Sequence, residues 1–174
     1  MSQDLADADS FGRFYAATAA PIRAYILRHC GDRGAVDDIF QVTYLKFLRS
    51  RMGSKPGDHK ARPYLYRIAS NAITDHGRSL QRRRRFEAPM PEHASRPGPM
   101  PSVEGMALRR ALRTLSKREQ QLLWLLYAEG FAHKEVAAIM RISHASVRVL
   151  AFRARKKLAR RMAGPGPTAA GGRK

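Results

Sequence analysis

Between Ser143 and Met162 the chain carries Arg148, Phe152, Arg153, Arg155, Lys156 and Lys157, side chains able to hold phosphates and to touch base edges. Their spacing sorts them by face. Val147, Ala151, Ala154 and Leu158 recur at intervals of four, three and four residues, an apolar line along one side of a helix. At about 100° per residue, Arg148, Phe152, Arg153 and Lys156 fall on the opposite side. A helix of this kind can bury one flank and offer the other to a polyanion.

The elements that would position it lie just upstream. Phe131 to Met140 has the period of a compact helix, Arg141-Ile-Ser143 is a tight turn, and Ser143 can cap a second helix that begins at His144. Two helices joined by a turn of about three or four residues, the second bearing exposed arginines, have the geometry that enters a DNA major groove. The plainer alternative is a helical hairpin with a solvated basic face.

Upstream, Phe11 to His29 reads as a helix with Phe11, Phe14, Tyr15, Ile22, Tyr25 and Ile26 as its apolar stripe, bent or interrupted at Pro21. A second helix spans Val36 to Arg49, with Asp37 and Asp38 in the first turn, where the helix dipole favours anions. Arg51 to Lys60 is a loop by its glycine and proline content. A third helix starts near Pro63, carries Leu65, Ile68, Ala69, Ala72 and Ile73 on one side, and runs toward Arg82–Arg85. Pro89, Pro91, Pro97, Pro99 and Pro101 then mark an extended, hydrated linker, and the residues after Gly164 a mobile tail. No strand pattern of useful length and no internal repeat occurs, so the expected fold class is all-α: two small helical domains joined by a Pro-rich flexible linker. The expected boundaries are 1–86, 87–104 for the linker, 105–163, and 164–174 for the tail. Whether the two units pack against each other stays open.

The 174 residues have a formal charge of +19, the balance of a protein that meets a polyanion. Its sign is uneven. Seven aspartates crowd the first third, whereas beyond Leu108 the only acids are Glu119, Glu129 and Glu135. Two surfaces for two kinds of partner are implied. No apolar run approaches a bilayer span, the first nine residues lack the sections of a secretion signal, and the single Cys30 has no disulfide or metal-ligand companion. A cytoplasmic chain without membrane insertion is expected.

Catalysis finds little support. The chain has no phosphate-cradling glycine loop, no Gly-x-Ser-x-Gly and no cluster at metal spacing. His29, His59, His76, His93, His133 and His144 are scattered, and Asp37 and Asp38 point about 100° apart on a helix, so they cannot share a site. The expectation is a non-enzyme with no metal, no cofactor and no small-molecule substrate.

Taken in order, Asp38-Ile-Phe-Gln-Val-Thr-Tyr44, Arg62-Pro-Tyr-Leu-Tyr-Arg-Ile-Ala-Ser-Asn71, a basic run, a Pro-rich linker, Leu115-Ser-Lys-Arg-Glu119 and Ile142-Ser-His-Ala-Ser-Val-Arg148 with Arg153-Ala-Arg155 carry a resemblance. From Phe11 to Met162 the chain resembles the extracytoplasmic-function (group 4) sigma factors of bacterial RNA polymerase. The resemblance implies that the first unit is region 2, which binds core polymerase and melts the minus-ten element. The second is then region 4, a helix-turn-helix for the minus-thirty-five duplex. It also implies an anti-sigma partner, of which the residues themselves show nothing.

On the second helix the resemblance implies a polymerase-docking face of Asp38, Gln41, Val42, Leu45 and Arg49, opposite a core face of Val36, Ile39, Phe40, Thr43 and Phe47. Family members usually carry an acid at Val42; the alternative packs Val42 and Leu45 under the first helix. On the third helix, Arg62, Tyr64, Arg67, Asn71, Asp75, Arg78, Arg82 and Arg83 would meet minus-ten DNA, with the preceding loop as a base pocket. Tyr64 stands where the family often has Trp, and Tyr64 and Tyr66 read equally as stacking platforms or core aromatics. For minus-thirty-five DNA the residues are Ser143, Ser146, Arg148, Val149, Phe152, Arg153, Arg155, Lys156 and Lys157. Val149 and Leu150 replace a small polar residue and a base, and Ala145 a frequent Gly. Val149 could then meet a thymine methyl, with Leu150 at the edge of the apolar face.

The resulting expectation is an alternative sigma factor that binds core RNA polymerase and promoter DNA. The competing reading is a stand-alone helix-turn-helix regulator that does not bind polymerase. The acidic first unit and the Pro-rich tether argue against it.

Overall fold

The computed structural model describes residues 2–50, 52, 55–86 and 103–162, and among them all regular structure is helical. An amino-terminal unit holds α1 (Ser2–Cys30), α2 (Val36–Leu48) and α3 (Ala61–Phe86). A carboxy-terminal unit holds α4 (Val103–Arg113), α5 (Lys117–Leu123), α6 (His133–Met140) and α7 (His144–Met162), with a π-helical turn at Trp124–Ala128 continuing α5. Residues 87–102, most of the expected linker, and 163–174, the expected tail, lie outside the described residues. Glu104 and Val103, expected at the end of the linker, belong to α4.

α1 runs through Pro21 without the expected interruption. An internal proline costs a helix about 3 kcal/mol. Just beyond it Ile22, Tyr25 and Ile26 are fully buried, each contributing roughly 1.5–3 kcal/mol, which is enough to carry the helix on. Aromatic contacts set the register of the three helices. Phe14 stacks on Phe47 with centroids 4.9 Å apart, and Tyr25 stands edge-on to Tyr66 at 5.1 Å. Buried hydroxyls are satisfied: Thr18 Oγ1 pairs with the Tyr44 hydroxyl at 2.8 Å, and Tyr25 with Ser70 at 2.7 Å.

The two units share a core, which the sequence left open. Leu122, Leu125, Phe131, Val136 and Ile139 belong to the same buried cluster as Tyr25, Leu65, Tyr66 and Ala69. Phe131, just before α6, meets the Tyr66 ring edge-on at 4.9 Å, which carries the Tyr25–Tyr66 aromatic chain from α1 through α3 into the second unit. Leu115, Leu123 and Ala154 form a smaller cluster of their own, joined by Leu112 and Leu158.

Candidate polymerase and nucleic-acid interfaces

The α6–α7 pair is built from the turn upward. Arg141 ends α6 in the left-handed region (φ 52°), its N–H donating to Ala137 O, and so reverses the chain within three residues. Ser143 then caps α7, its Oγ accepting the Ser146 N–H at 3.0 Å and pairing with the Ser146 hydroxyl at 2.7 Å. Val147, Ala151 and Ala154 are buried and Leu158 partly so. Arg148, Val149, Phe152, Arg153 and Lys156 lie exposed on the outer side. Phe152 is 62% exposed, with the Lys156 ammonium 6.0 Å from its ring. A large apolar ring left in solvent beside cations is what stacking or methyl contact with a base would use. Leu150 sits half-buried at the edge of the core.

Four of the residues assigned to this DNA face already have internal partners. Ser143 and Ser146 form the cap. Lys157 donates to Glu119 Oε1 at 2.8 Å, and that bond holds the Glu119 carboxyl below its ordinary range. Arg155 reaches the Tyr127 hydroxyl at 3.4 Å.

On α2 the expected outer face stands out: Asp38, Gln41, Val42, Leu45 and Arg49 are all exposed, with Leu45 at 51% and Val42 at 38%. The alternative that Val42 and Leu45 pack under α1 is overturned, because Ile39, Thr43 and Phe47 take that side. Tyr44 is buried with them through its bond to Thr18, while Phe40, expected inside, is only half-buried. Leu48 extends the exposed apolar strip. These apolar side chains lie in solvent among charged ones, on the side of α2 that is not packed on α1 and α3, a pattern that docking surfaces share.

α3 does not bring its assigned residues together in one place. Asn71, Asp75 and Arg78 line a cleft of about 850 Å³ whose other wall carries Lys117, Arg118 and Arg141 of the second unit. Arg82 and Arg83 are exposed beyond it, whereas the side chains of Arg84 and Arg85 and the loop residues Arg51, Gly53 and Ser54 lie outside the described residues. Tyr64 is half-buried beneath the Arg67 guanidinium, 4.7 Å from its ring, and Tyr66 is a core aromatic.

Arg62 belongs to neither the cleft nor the basic end of α3. It donates to the Glu129 carbonyl from both terminal nitrogens at 3.1 Å and to Glu129 Oε2 at 2.8 Å, with Phe131 4.4 Å from its guanidinium carbon. Glu129 also accepts the Tyr66 hydroxyl at 2.5 Å and Trp124 Nε1 at 2.8 Å. Burial, and then Glu129, push the Tyr66 hydroxyl far above its usual range, so it stays a donor. Gln121 adds a bond across the units, to the Tyr25 hydroxyl at 2.6 Å.

Sequence reasoning did not single out Glu129, Trp124 or Gln121. One signal was present. Of the three acids beyond Leu108, Glu119 and Glu135 sit three residues after helix starts at Ser116 and Ala132 and accept those N–H groups at 2.8 and 2.7 Å. Glu129 has no such local duty.

Among the described residues no helix is long and apolar enough to cross a membrane, and no cluster of three or more His, Cys, Asp or Glu is placed to hold a metal.

Comparison with known proteins matches one family model to residues within α1–α3 and another to residues within α4–α7. The family model for Sigma-70 region 2 matches residues 14–83, and that for Sigma-70, region 4 matches residues 105–158. Over 163 residues the chain is 28% identical to the ECF RNA polymerase sigma factor BldN of Streptomyces coelicolor, covering 88% of this chain but only 61% of that protein. Over 156 residues it is 29% identical to the RNA polymerase sigma factor CarQ of Myxococcus xanthus, covering 86% and 87%. The fold is similar to that of the sigma factor RpoE of Bartonella quintana, solved in complex with the anti-sigma factor NepR, with a TM-score of 0.70 at 19% identity over 88% of this chain and 97% of that one. With a Sigma-70 region 2 model and a Sigma-70, region 4 model matched in that order and together taking up more than two thirds of its length, the chain belongs to the sigma-70 family of RNA polymerase sigma factors, and it is similar to extracytoplasmic-function members of that family.

Proposed function

We propose that this chain acts as an alternative sigma subunit that brings core RNA polymerase to a class of promoters, with each step assigned to one helix face. The outer face of α2 (Asp38, Gln41, Val42, Leu45 and Arg49) docks on core polymerase. α3 receives the opened minus-ten strand: Asn71 and Asp75 meet unpaired bases, while Arg62, Arg67, Arg78, Arg82 and Arg83 meet phosphates and Tyr64 lies beside them. α7 enters the minus-thirty-five major groove, where Arg148, Val149, Phe152 and Arg153 read base edges and Lys156 holds backbone. The polymerase supplies the bond-making chemistry.

One observation carries this reading: an exposed apolar strip on α2 and an exposed basic recognition helix occur in the same chain. A regulator that bound only DNA would have no use for Leu45 and Val42 in solvent. The assignment implies a cytoplasmic site of action, where polymerase and chromosome meet. An anti-sigma partner is proposed from the relative solved with one. Co-elution with purified core polymerase tests the reading. The full chain should travel with core enzyme; a chain that elutes separately while still binding promoter duplex would favour the stand-alone regulator.

A further inference from the structure

The Arg62–Glu129 contact joins a residue assigned to promoter DNA with one from the opposite unit. We propose that Glu129 stands in for a promoter phosphate in the free chain: it occupies Arg62, holds the two units closed, and must be displaced before α3 accepts the minus-ten strand. The DNA half of the proposal rests on the function assigned above; the closed state stands on the geometry alone.

Three observations support it. First, the contact is built rather than incidental. Glu129 has a side chain only 7% exposed and gathers Arg62, Tyr66 and Trp124 on its two carboxylate oxygens while its own carbonyl takes Arg62 again. Second, the backbone is shaped to deliver it. The π-helical turn is closed by the Glu129 N–H on Trp124 O at 3.1 Å, Gly130 follows in the left-handed region (φ 70°), and Phe131 returns its N–H to Leu125 O. This widened turn aims the Glu129 side chain and carbonyl at α3, as π-turns at functional sites often redirect a residue. Third, the substitution is chemically matched. A guanidinium takes a carboxylate or a phosphate with the same fork of donors, so the strand backbone can replace Glu129 on Arg62 without new hardware.

Closure affects the three faces differently. Arg62 is occupied, while Leu45 on α2 and Arg148, Phe152 and Arg153 on α7 remain in solvent. The free chain can therefore dock on core polymerase and touch duplex, but it withholds part of the strand-binding face. Polymerase docking on α2 and duplex capture on α7 would then pull the units apart and release Arg62 for the melted strand.

The test uses the full chain, its Glu129→Gln variant and, as a matched loss of one charge in the same unit, Glu135→Gln, in which the amide oxygen can still accept the Ala132 N–H. Small-angle scattering reads closure, and a labelled single-stranded oligonucleotide is the binding probe. For Glu129→Gln the proposal expects a larger radius of gyration and roughly tenfold tighter oligonucleotide binding, with Glu135→Gln like the parent on both. Glu129→Gln with the parent's radius and affinity would overturn the closed latch. A larger radius with unchanged affinity would overturn the exchange of Glu129 for phosphate. Neither result would touch the sigma assignment, which stands or falls on transcription with core enzyme. If Glu129→Gln fails to fold, Arg62→Gln keeps the test open: it must also enlarge the chain yet gain no oligonucleotide affinity, and an unchanged radius would overturn the latch.

Discussion

The Trp124 indole stands perpendicular to the His29 imidazole, centroids 5.7 Å apart and planes at 89°, so a residue of the second unit covers one near the end of α1. His29 Nε2 is buried without a hydrogen-bond partner. Burial, and secondarily the neighbouring Arg28, lower its pKa from 6.5 to about 4. Tyr25 covers the same ring from α1, and Lys117, Arg118 and Gln121 line the cleft beside it.

A pH dependence follows. If the units separate, His29 regains water and binds its proton more tightly than in the closed chain. The closed state is therefore favoured in full above pH 6.5 and loses that advantage as the pH falls through about 4, by at most about 3 kcal/mol. Emission of Trp124, the only tryptophan, should shift to the red between those limits, and His29→Phe should flatten the response. Identical profiles for the two proteins would remove His29 from the account.

Leu45→Glu should abolish core binding without unfolding the chain, because Leu45 is exposed and its replacement meets solvent until docking. Burying an unpaired carboxylate in the interface costs several kcal/mol, on the order of a thousandfold in affinity. A folded Leu45→Glu protein that still co-elutes with core enzyme would displace the docking face from α2.

Ser143→Ala removes the cap on α7 and should cost about 1 kcal/mol of stability. Thermal unfolding of the full chain reads this directly. A midpoint unchanged from the parent would show that the Ser143–Ser146 pair does not anchor the start of α7.

Base reading and backbone holding separate along α7. Arg153→Ala should cost roughly 1–3 kcal/mol on the preferred duplex and much less on a scrambled one. Arg160→Ala, further along, should weaken both alike and lower the salt slope by about one. Arg160 serves better here than Lys157, whose bond to Glu119 would mix folding with binding. Titrations of both duplexes at several salt concentrations give the answer; equal losses for Arg153→Ala would leave that arginine on phosphate only.

Much of this fold was legible because it is local. The four-three-four spacing of Val147, Ala151, Ala154 and Leu158 foretold the buried side of α7, and the pattern of Ile39, Thr43 and Phe47 foretold which side of α2 faces out. Of the bend or interruption that Pro21 implies, the interruption does not occur, because propensity is a local quantity, whereas the burial of Ile22, Tyr25 and Ile26 depends on α2 and α3. The π-helical turn and the closure of the two units were illegible for the same reason. Glu129 meets Arg62 across 67 positions, and no periodicity reports a contact that distant.

The most direct test is run-off transcription with purified core polymerase, with and without the full chain, on templates carrying promoters selected by the chain from a random library. The account predicts a discrete transcript only when chain and core are combined, lost with Leu45→Glu. No transcript from any selected template, with the chain bound to the same DNA, would contradict it.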